Sequence, residues 1–174
     1  MNEAKLLKQY KAGVRDFQNN NLAQANFSKA NLIGADFSQA NLTQAIFYQA
    51  SLELINFSQA ILTKADFRSA SLKSALFYKT SLGKANFHKA NLSQAILQRT
   101  FLREADLSQT ILIDANLQHA NLIDADLTGA DLTGANLTGA FLLEANLSQA
   151  CLEQVDLGQV TLTGATMPDG SIYT

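Results

Sequence analysis

Side chains that could do chemistry are sparse in this sequence. There are two histidines, His88 and His119, and a single cysteine, Cys151. Nucleophilic catalysis needs a base next to an activated Ser, Thr or Cys, and zinc needs His and Cys at short recurring intervals. Neither pattern is present. Gly129, Gly134, Gly139 and Gly164 do not gather into a phosphate-binding loop; they share one phase of a five-residue period and read as turn residues. Carboxylates are plentiful, but acid–base work would need a pocket that shifts their pKa and excludes water, and no motif marks one. The chain is therefore read as a non-enzyme, with no catalytic residue, no cofactor-binding residue, no metal ligand and no cofactor.

The distribution of charge says more than its total. Formal net charge is −2, yet residues 1–92 hold 11 Lys and Arg against 5 Asp and Glu, while residues 93–174 hold 2 against 10. The halves thus carry +6 and −8. Charge divided in this way gives the two halves of the chain opposite fields.

What must position these groups is a repeat. From Phe17 onward every fifth residue is apolar, through Leu162, Met167 and Ile172, which makes 32 centres without exception. Two places before each centre, Ala fills 23 of the 29 positions from Ala25 to Ala165, and the departures (Ile55, Thr80, Thr100, Thr110, Val155, Val160) are small or β-branched. Five residues advance an α-helix by roughly 500°, so the centres would drift around it. A straight strand would send them to alternate faces. The chain must bend once per five residues, so that all centres meet on one axis and successive turns pair through their backbones.

Stretches such as Ala35-Asp36-Phe37-Ser38-Gln39, Ala125-Asp126-Leu127-Thr128-Gly129 and Ala135-Asn136-Leu137-Thr138-Gly139 resemble the pentapeptide-repeat family, with its pattern A(D/N)(L/F)xx. The resemblance covers about nine-tenths of the chain, and its termini are similar to those of cyanobacterial-type members. It implies an all-β solenoid: a right-handed quadrilateral parallel β-helix, four pentapeptides to the coil. The 32 centres then make about eight coils, roughly 38 Å long at ~4.8 Å per coil. Residues 1–14 are expected to form a short N-terminal capping α-helix, with Leu6, Leu7 and Tyr10 at helical spacing and Gly13 as its stop. Residues 15–174 are expected to form one continuous solenoid.

On that coil, residues twenty apart stack in columns. Phe17, Phe37, Phe57 and Phe77 line one inner wall and Phe27, Phe47, Phe67 and Phe87 the opposite one, and beyond Leu92 every centre is Leu until Met167. Thr100, Thr110, Val155 and Val160 are expected to offset the missing ring volume; ring-sized voids beside Thr100 and Thr110 would overturn that. His88 and His119 fall on different faces. Outside, Glu104, Asp124 and Glu144 form one column and Asp106 and Asp126 its neighbour across a corner, with Asp114 and Asp131 on the next face. This acidic stripe is the candidate partner-binding surface. Phe101, Ile123, Phe141 and Leu143 flank the centres of the adjoining face and form a candidate apolar interface. Lys64, Arg68, Lys73, Lys79, Lys84, Lys89, Arg99 and Arg103 spread over all four faces as a belt, which argues against direct nucleic-acid binding.

No apolar run exceeds four residues, as in Ala75-Leu76-Phe77-Tyr78, and the N-terminal MNEAKLLKQYKAG lacks the apolar stretch of a secretory signal, so no membrane contact and a cytoplasmic location are expected. The functional expectation is a non-enzymatic protein-interaction or scaffold module whose rigid rod presents the acidic, apolar-flanked face to a protein partner. Two alternatives stand beside it. Members that protect DNA gyrase from quinolones are duplex-DNA mimics, so binding of a type II topoisomerase is one, although here the acidity covers only half the rod and no loop interrupts the register. A purely structural or self-assembling rod, a homo-oligomer, is the other.

Overall fold

The computed structural model describes residues 1–174. Its only helix, α1 (Glu3–Lys11), begins at Asn2, whose side chain accepts a hydrogen bond from the Lys5 N–H at 2.9 Å. Gly13, at φ 94°, takes the left-handed conformation that ends the helix. The helix lays Leu6, fully buried, and the half-buried Leu7 and Tyr10 against the first coil. That contact closes the end of the core to water.

From Asp16 the chain coils. Parallel bridges join Asp16 to Asp36, Asn21 to Asn41, and so on at a constant interval of twenty residues until Asn146 pairs with Thr166. Each pentapeptide through that of Thr166, except that of Asp156, contributes one bridging residue, the one before its centre, so the sheet is a ladder of isolated bridges rather than of long strands. Twenty residues, four pentapeptides, complete one coil.

The repeat pattern follows from where its five N–H groups go. Around Leu107, the Leu107 N–H bonds Asp126 O at 2.7 Å and the Gln109 N–H bonds Thr128 O at 2.9 Å, both on the next coil, while the Asp106 N–H bonds Ala85 O on the previous one. The Thr110 N–H closes the turn on Leu107 O at 3.2 Å. Only the Ser108 N–H has no backbone partner, and the Asp106 side chain accepts it at 3.0 Å. Asn and Asp recur before the centre for this reason: the same bond is made by Asn56, Asn86, Asn116, Asp126, Asn136 and Asn146.

The third residue of every turn from Asn19 to Gln154 has positive φ, as the Gln109 value of 55° shows. No β-branched residue stands at this phase anywhere between Asn19 and Gly164, in keeping with the steric cost of left-handed backbone beside a branched Cβ. A neighbouring side chain crowds the turn at Gly134, Gly139 and Gly164, though not at Gly34. A Cβ at Gly134 would lie 2.6 Å from Asp114 Oδ1, so this glycine supplies space as well as torsion.

All centres from Phe17 to Leu147 are buried. Phe67 stacks on Phe47 and Phe87 at centroid distances of 4.9 and 4.8 Å, and meets Phe57 and Phe77 edge-on at 5.8 and 6.2 Å. Where Leu replaces Phe, no cavity opens beside Thr100 or Thr110. Their hydroxyls turn back to Leu97 O and Leu107 O at 2.7 and 2.6 Å, which satisfies each buried oxygen within its own turn.

The C-terminal end departs from strict repetition. Ile172 keeps the period in sequence but is 58% exposed and does not join the axis. The chain reverses at Pro168–Gly170 instead and Ile172 pairs antiparallel with Thr166, with Tyr173 N–H on Ala165 O at 2.9 Å and Gly164 N–H on Tyr173 O at 2.8 Å. This hairpin occupies part of the last open edge. Asn136 has no bridge to Asp156, and Gly139 N–H slips by one residue onto Gln159 O at 2.9 Å.

Apolar residues before a centre forgo the side-chain bond just described. Ile111, 39% exposed between Asn91 and Asp131 in its column, is one such position. Ile111→Asn is expected to stabilise the rod by about 1 kcal/mol by capping the Ile113 N–H, read as a higher denaturant midpoint at unchanged slope.

Candidate interaction face

Side chains that act must do so from the outer skin, since the axis is filled. Glu104, Asp124 and Glu144 occupy the positive-φ corner of successive coils, at φ 57°, 59° and 56°, and project outward. Asp106 and Asp126 are a directly bridged pair on the next face, half-buried because each is turned toward its own Ser108 or Thr128. The five predicted stripe residues are therefore brought to one corner and its flank.

The stripe is not bare carboxylate. Lys84 reaches Glu104 Oε2 at 3.0 Å, and Arg103 spans to Asp124 Oδ2 at 2.9 Å while lying 3.7 Å from Glu104. The Lys84–Glu104 pair was legible as a twenty-residue column. The Arg103 bridge was not, because it crosses from the middle of one pentapeptide to the corner of the next coil; an arginine beside an acidic column is the signal for it. These side chains are 36–60% exposed, so each pair adds little stability. Glu144 makes no ion pair and lies over the Cβ-free backbone of Gly164.

Phe101 and Phe141, 54% and 46% exposed, stand on the adjoining face in one column with Ile61 at 47%. Ile123 and Leu143 are half-buried beside them. Structure thus adds Ile61 to the four apolar residues found from spacing. Lys79, Arg99 and His119 form the opposite corner of this face, each at positive φ and none in an ion pair.

Further along the Asp106 column, burial pushes the Asp66 carboxyl up. Hydrogen bonds from the Arg68 side chain and backbone, with the guanidinium charge, outweigh this and hold it below its ordinary value. The Arg68–Asp66 contact is 2.7 Å. Hydrogen bonds from Ser171 likewise hold Asp169 low.

Geometry also tests the catalytic reading. His88 Nδ1 lies 2.8 Å from Ser108 Oγ, and Ser108 Oγ donates to Asp106 Oδ1 at 2.5 Å. In this chain serine stands between imidazole and carboxylate, whereas base catalysis requires the imidazole in the middle. The hydroxyl proton points at Asp106, so the arrangement is a surface hydrogen-bond network. His119 is on another column, with Gln98, Arg99, Gln118 and Tyr78 around a shallow cleft of about 280 Å³. No three His, Cys, Asp or Glu side chains converge as metal ligands. Cys151 is half-buried with Sγ 3.3 Å from Thr133 Oγ1. The largest groove, about 560 Å³, lies between α1 and the first coils and contains no carboxylate. No helix is long and apolar enough to cross a membrane.

A repeat rod with a filled axis is a solenoid that leaves only its skin for contact with other molecules. Two family models match: Pentapeptide repeats, over residues 70–109, 85–122, 110–142 and 142–169, and Pentapeptide repeat region, over residues 15–87. The chain belongs to the pentapeptide-repeat family and has that family's right-handed β-helix.

Among solved structures, it is similar to HetL, a pentapeptide repeat protein involved in heterocyst differentiation regulation from the cyanobacterium Nostoc sp. strain PCC 7120. Identity is 34%, over 99% of this chain and 100% of that one, with a TM-score of 0.32. QnrB1, a plasmid-mediated fluoroquinolone resistance protein, matches at 23% identity over 88% of this chain and 83% of its own, with a TM-score of 0.59, which shows the shared fold. A pentapeptide repeat protein of the Arabidopsis thaliana thylakoid lumen is 31% identical over 59% of this chain and 64% of that one, with a TM-score of 0.32. No curated protein matches the chain.

Proposed function

We propose that the chain is a non-enzymatic interaction module: a rod of about eight four-sided coils, capped by residues 1–14 and continuous over 15–174. It presents Phe101, Ile123, Phe141 and Leu143 with the acidic corner Glu104, Asp106, Asp124, Asp126 and Glu144 to a protein surface of complementary basic charge. The observation that carries this reading is the pair of phenylalanines, about half exposed beside that corner. Apolar surface rimmed by charge is the usual composition of a protein-recognition site. Membership of the pentapeptide-repeat family supports a scaffold in place of an enzyme.

Reversal of Glu104, Asp124 and Glu144 to Lys tests the reading by affinity capture from the native cell extract. The triple variant is expected to lose about tenfold or more of the recovered partner, in line with opposing charges at a recognition rim. Equal recovery by variant and wild type would overturn it.

Topoisomerase binding is the second reading, supported by the fold shared with QnrB1. Against it stands the confinement of acidity to residues 93–174, since a duplex mimic needs carboxylates along its length. A gyrase supercoiling assay separates the two: unchanged supercoiling at high micromolar rod eliminates the mimic.

A further inference from the structure

The bridging position before each centre favours Asn or Asp, because those side chains satisfy an otherwise free N–H. In one column that position reads Asn41, Ile61, Ser81, Phe101, Asn121, Phe141, Thr161. Ile61, Phe101 and Phe141 each forgo the bond and each stand about half exposed. They fall on alternate coils, so large side chains recur about every 9.6 Å with Ser81 and Asn121 in the gaps between them. Folding supplies no reason for this pattern. A surface of knobs and gaps with one spacing is complementary to itself.

The corner beside it carries a matching register of charge. Its column reads Lys64, Lys84, Glu104, Asp124, and the sign changes between Lys84 and Glu104. Consider a two-fold axis perpendicular to the rod, passing between those two coils. It sets Lys84 opposite Glu104 of a second copy and Lys64 opposite Asp124. The same rotation sets Phe101 over Ser81, Ile61 over Asn121 and Phe141 over Asn41, each large side chain on a small or polar one. It also brings the +6 half of one rod beside the −8 half of the other. A parallel pair would align like halves, which repel.

We propose that this face pairs with the same face of a second copy, antiparallel, about a two-fold axis between the Lys84 and Glu104 coils. The proposal rests on the reading of this face as an interface, and it identifies the basic partner surface as the chain's own basic half. At the axis, Lys84 and Glu104 of the two copies form a ring of alternating charge. The interface is isologous, as a closed dimer requires.

Sedimentation over a range of concentration and salt tests it. Wild type is expected to dimerise, more weakly as salt rises. Phe101→Asn is expected to gain folding stability, by restoring the missing side-chain bond, while losing the dimer; a variant that folds better yet fails to associate cannot have failed by unfolding. Lys84→Glu and Glu104→Lys are each expected to weaken association about tenfold, and the double variant to recover it. Orientation is read by mixing a Thr63→Cys chain with an Ile123→Cys chain, both carrying Cys151→Ser. Antiparallel pairing predicts cross-links between the two kinds of chain and few within either kind.

A monomer at several times the working concentration would overturn the proposal, as would a dimer that survives Phe101→Asn, or cross-links within one kind of chain only. The partner-binding reading fails separately. If the rod is monomeric but the stripe reversal still abolishes capture, self-pairing is wrong and the interface reading stands.

Discussion

Phe67→Ala is expected to lower the unfolding free energy by about 3 to 5 kcal/mol. The ring is fully buried and has four aromatic neighbours, two stacked at 4.8 and 4.9 Å and two edge-on at 5.8 and 6.2 Å. Removing it discards transfer free energy, leaves a cavity and ends stacking contacts worth about 0.5 to 1.5 kcal/mol each. Coils are locked to neighbours above and below by ladder bonds, so they cannot collapse inward to refill the gap. Phe67→Leu is the control, because every centre from Leu92 to Leu162 shows that Leu is accepted at this phase; its expected cost is about 1 kcal/mol. Urea unfolding followed by circular dichroism reads both. A Phe67→Ala loss no larger than that of Phe67→Leu would mean that the ring column contributes only area.

Gln109→Pro is expected to cost roughly 3 kcal/mol or more, although the side chain it removes is on the surface. Gln109 has φ 55°, which proline, held near −65°, cannot adopt. Its N–H also donates to Thr128 O at 2.9 Å, a ladder bond that proline deletes. Gln109→Gly separates the causes, since glycine keeps the donor and reaches positive φ without steric cost. That variant should stay within about 1 kcal/mol of wild type, its relief of strain offset by greater freedom of the unfolded chain. Equal losses for the two variants would show that the turn does not depend on the left-handed residue.

These two predictions fall on features of unequal legibility. Phe67 announces itself in the sequence: a period of five, kept from Phe17 onward, with Ala two places earlier, leaves an inward bend as the way to bury every centre. The left-handed corner at Gln109 is hinted at by the glycines at its phase, yet most such corners carry Gln, Lys, Ser or acidic residues whose type alone does not disclose a positive φ. The role of Asp and Asn before the centre emerged from counting N–H groups on paired coils. So did the significance of Phe101 and Phe141, whose exposure is notable against a neighbouring N–H that lacks its usual side-chain acceptor.

The candidate face divides the same way. Glu104, Asp124 and Glu144 were found as a column because stacking at twenty residues is fixed once four pentapeptides make a coil. Arg103 escaped because its reach to Asp124 depends on side-chain length and direction at a corner, neither of which a repeat period encodes. Ile172 marks the converse limit. It is in register and apolar, yet it leaves the axis, because Pro168 and Gly170 favour a reversal that pairs an open edge.

By itself the amino-acid order determined the rod: its axis, its core, the family pattern and the opposed charge of its halves. All of these follow from periodicity along the chain, where the burial of one residue in five outweighs every other local preference. Tertiary structure alone decided that Arg103 reaches Asp124, that Ile61 stands exposed in one column with Phe101 and Phe141, and how the last turn closes. Such contacts join residues about twenty apart through a few ångströms of side chain, and a difference of one rotamer or one turn makes or breaks them.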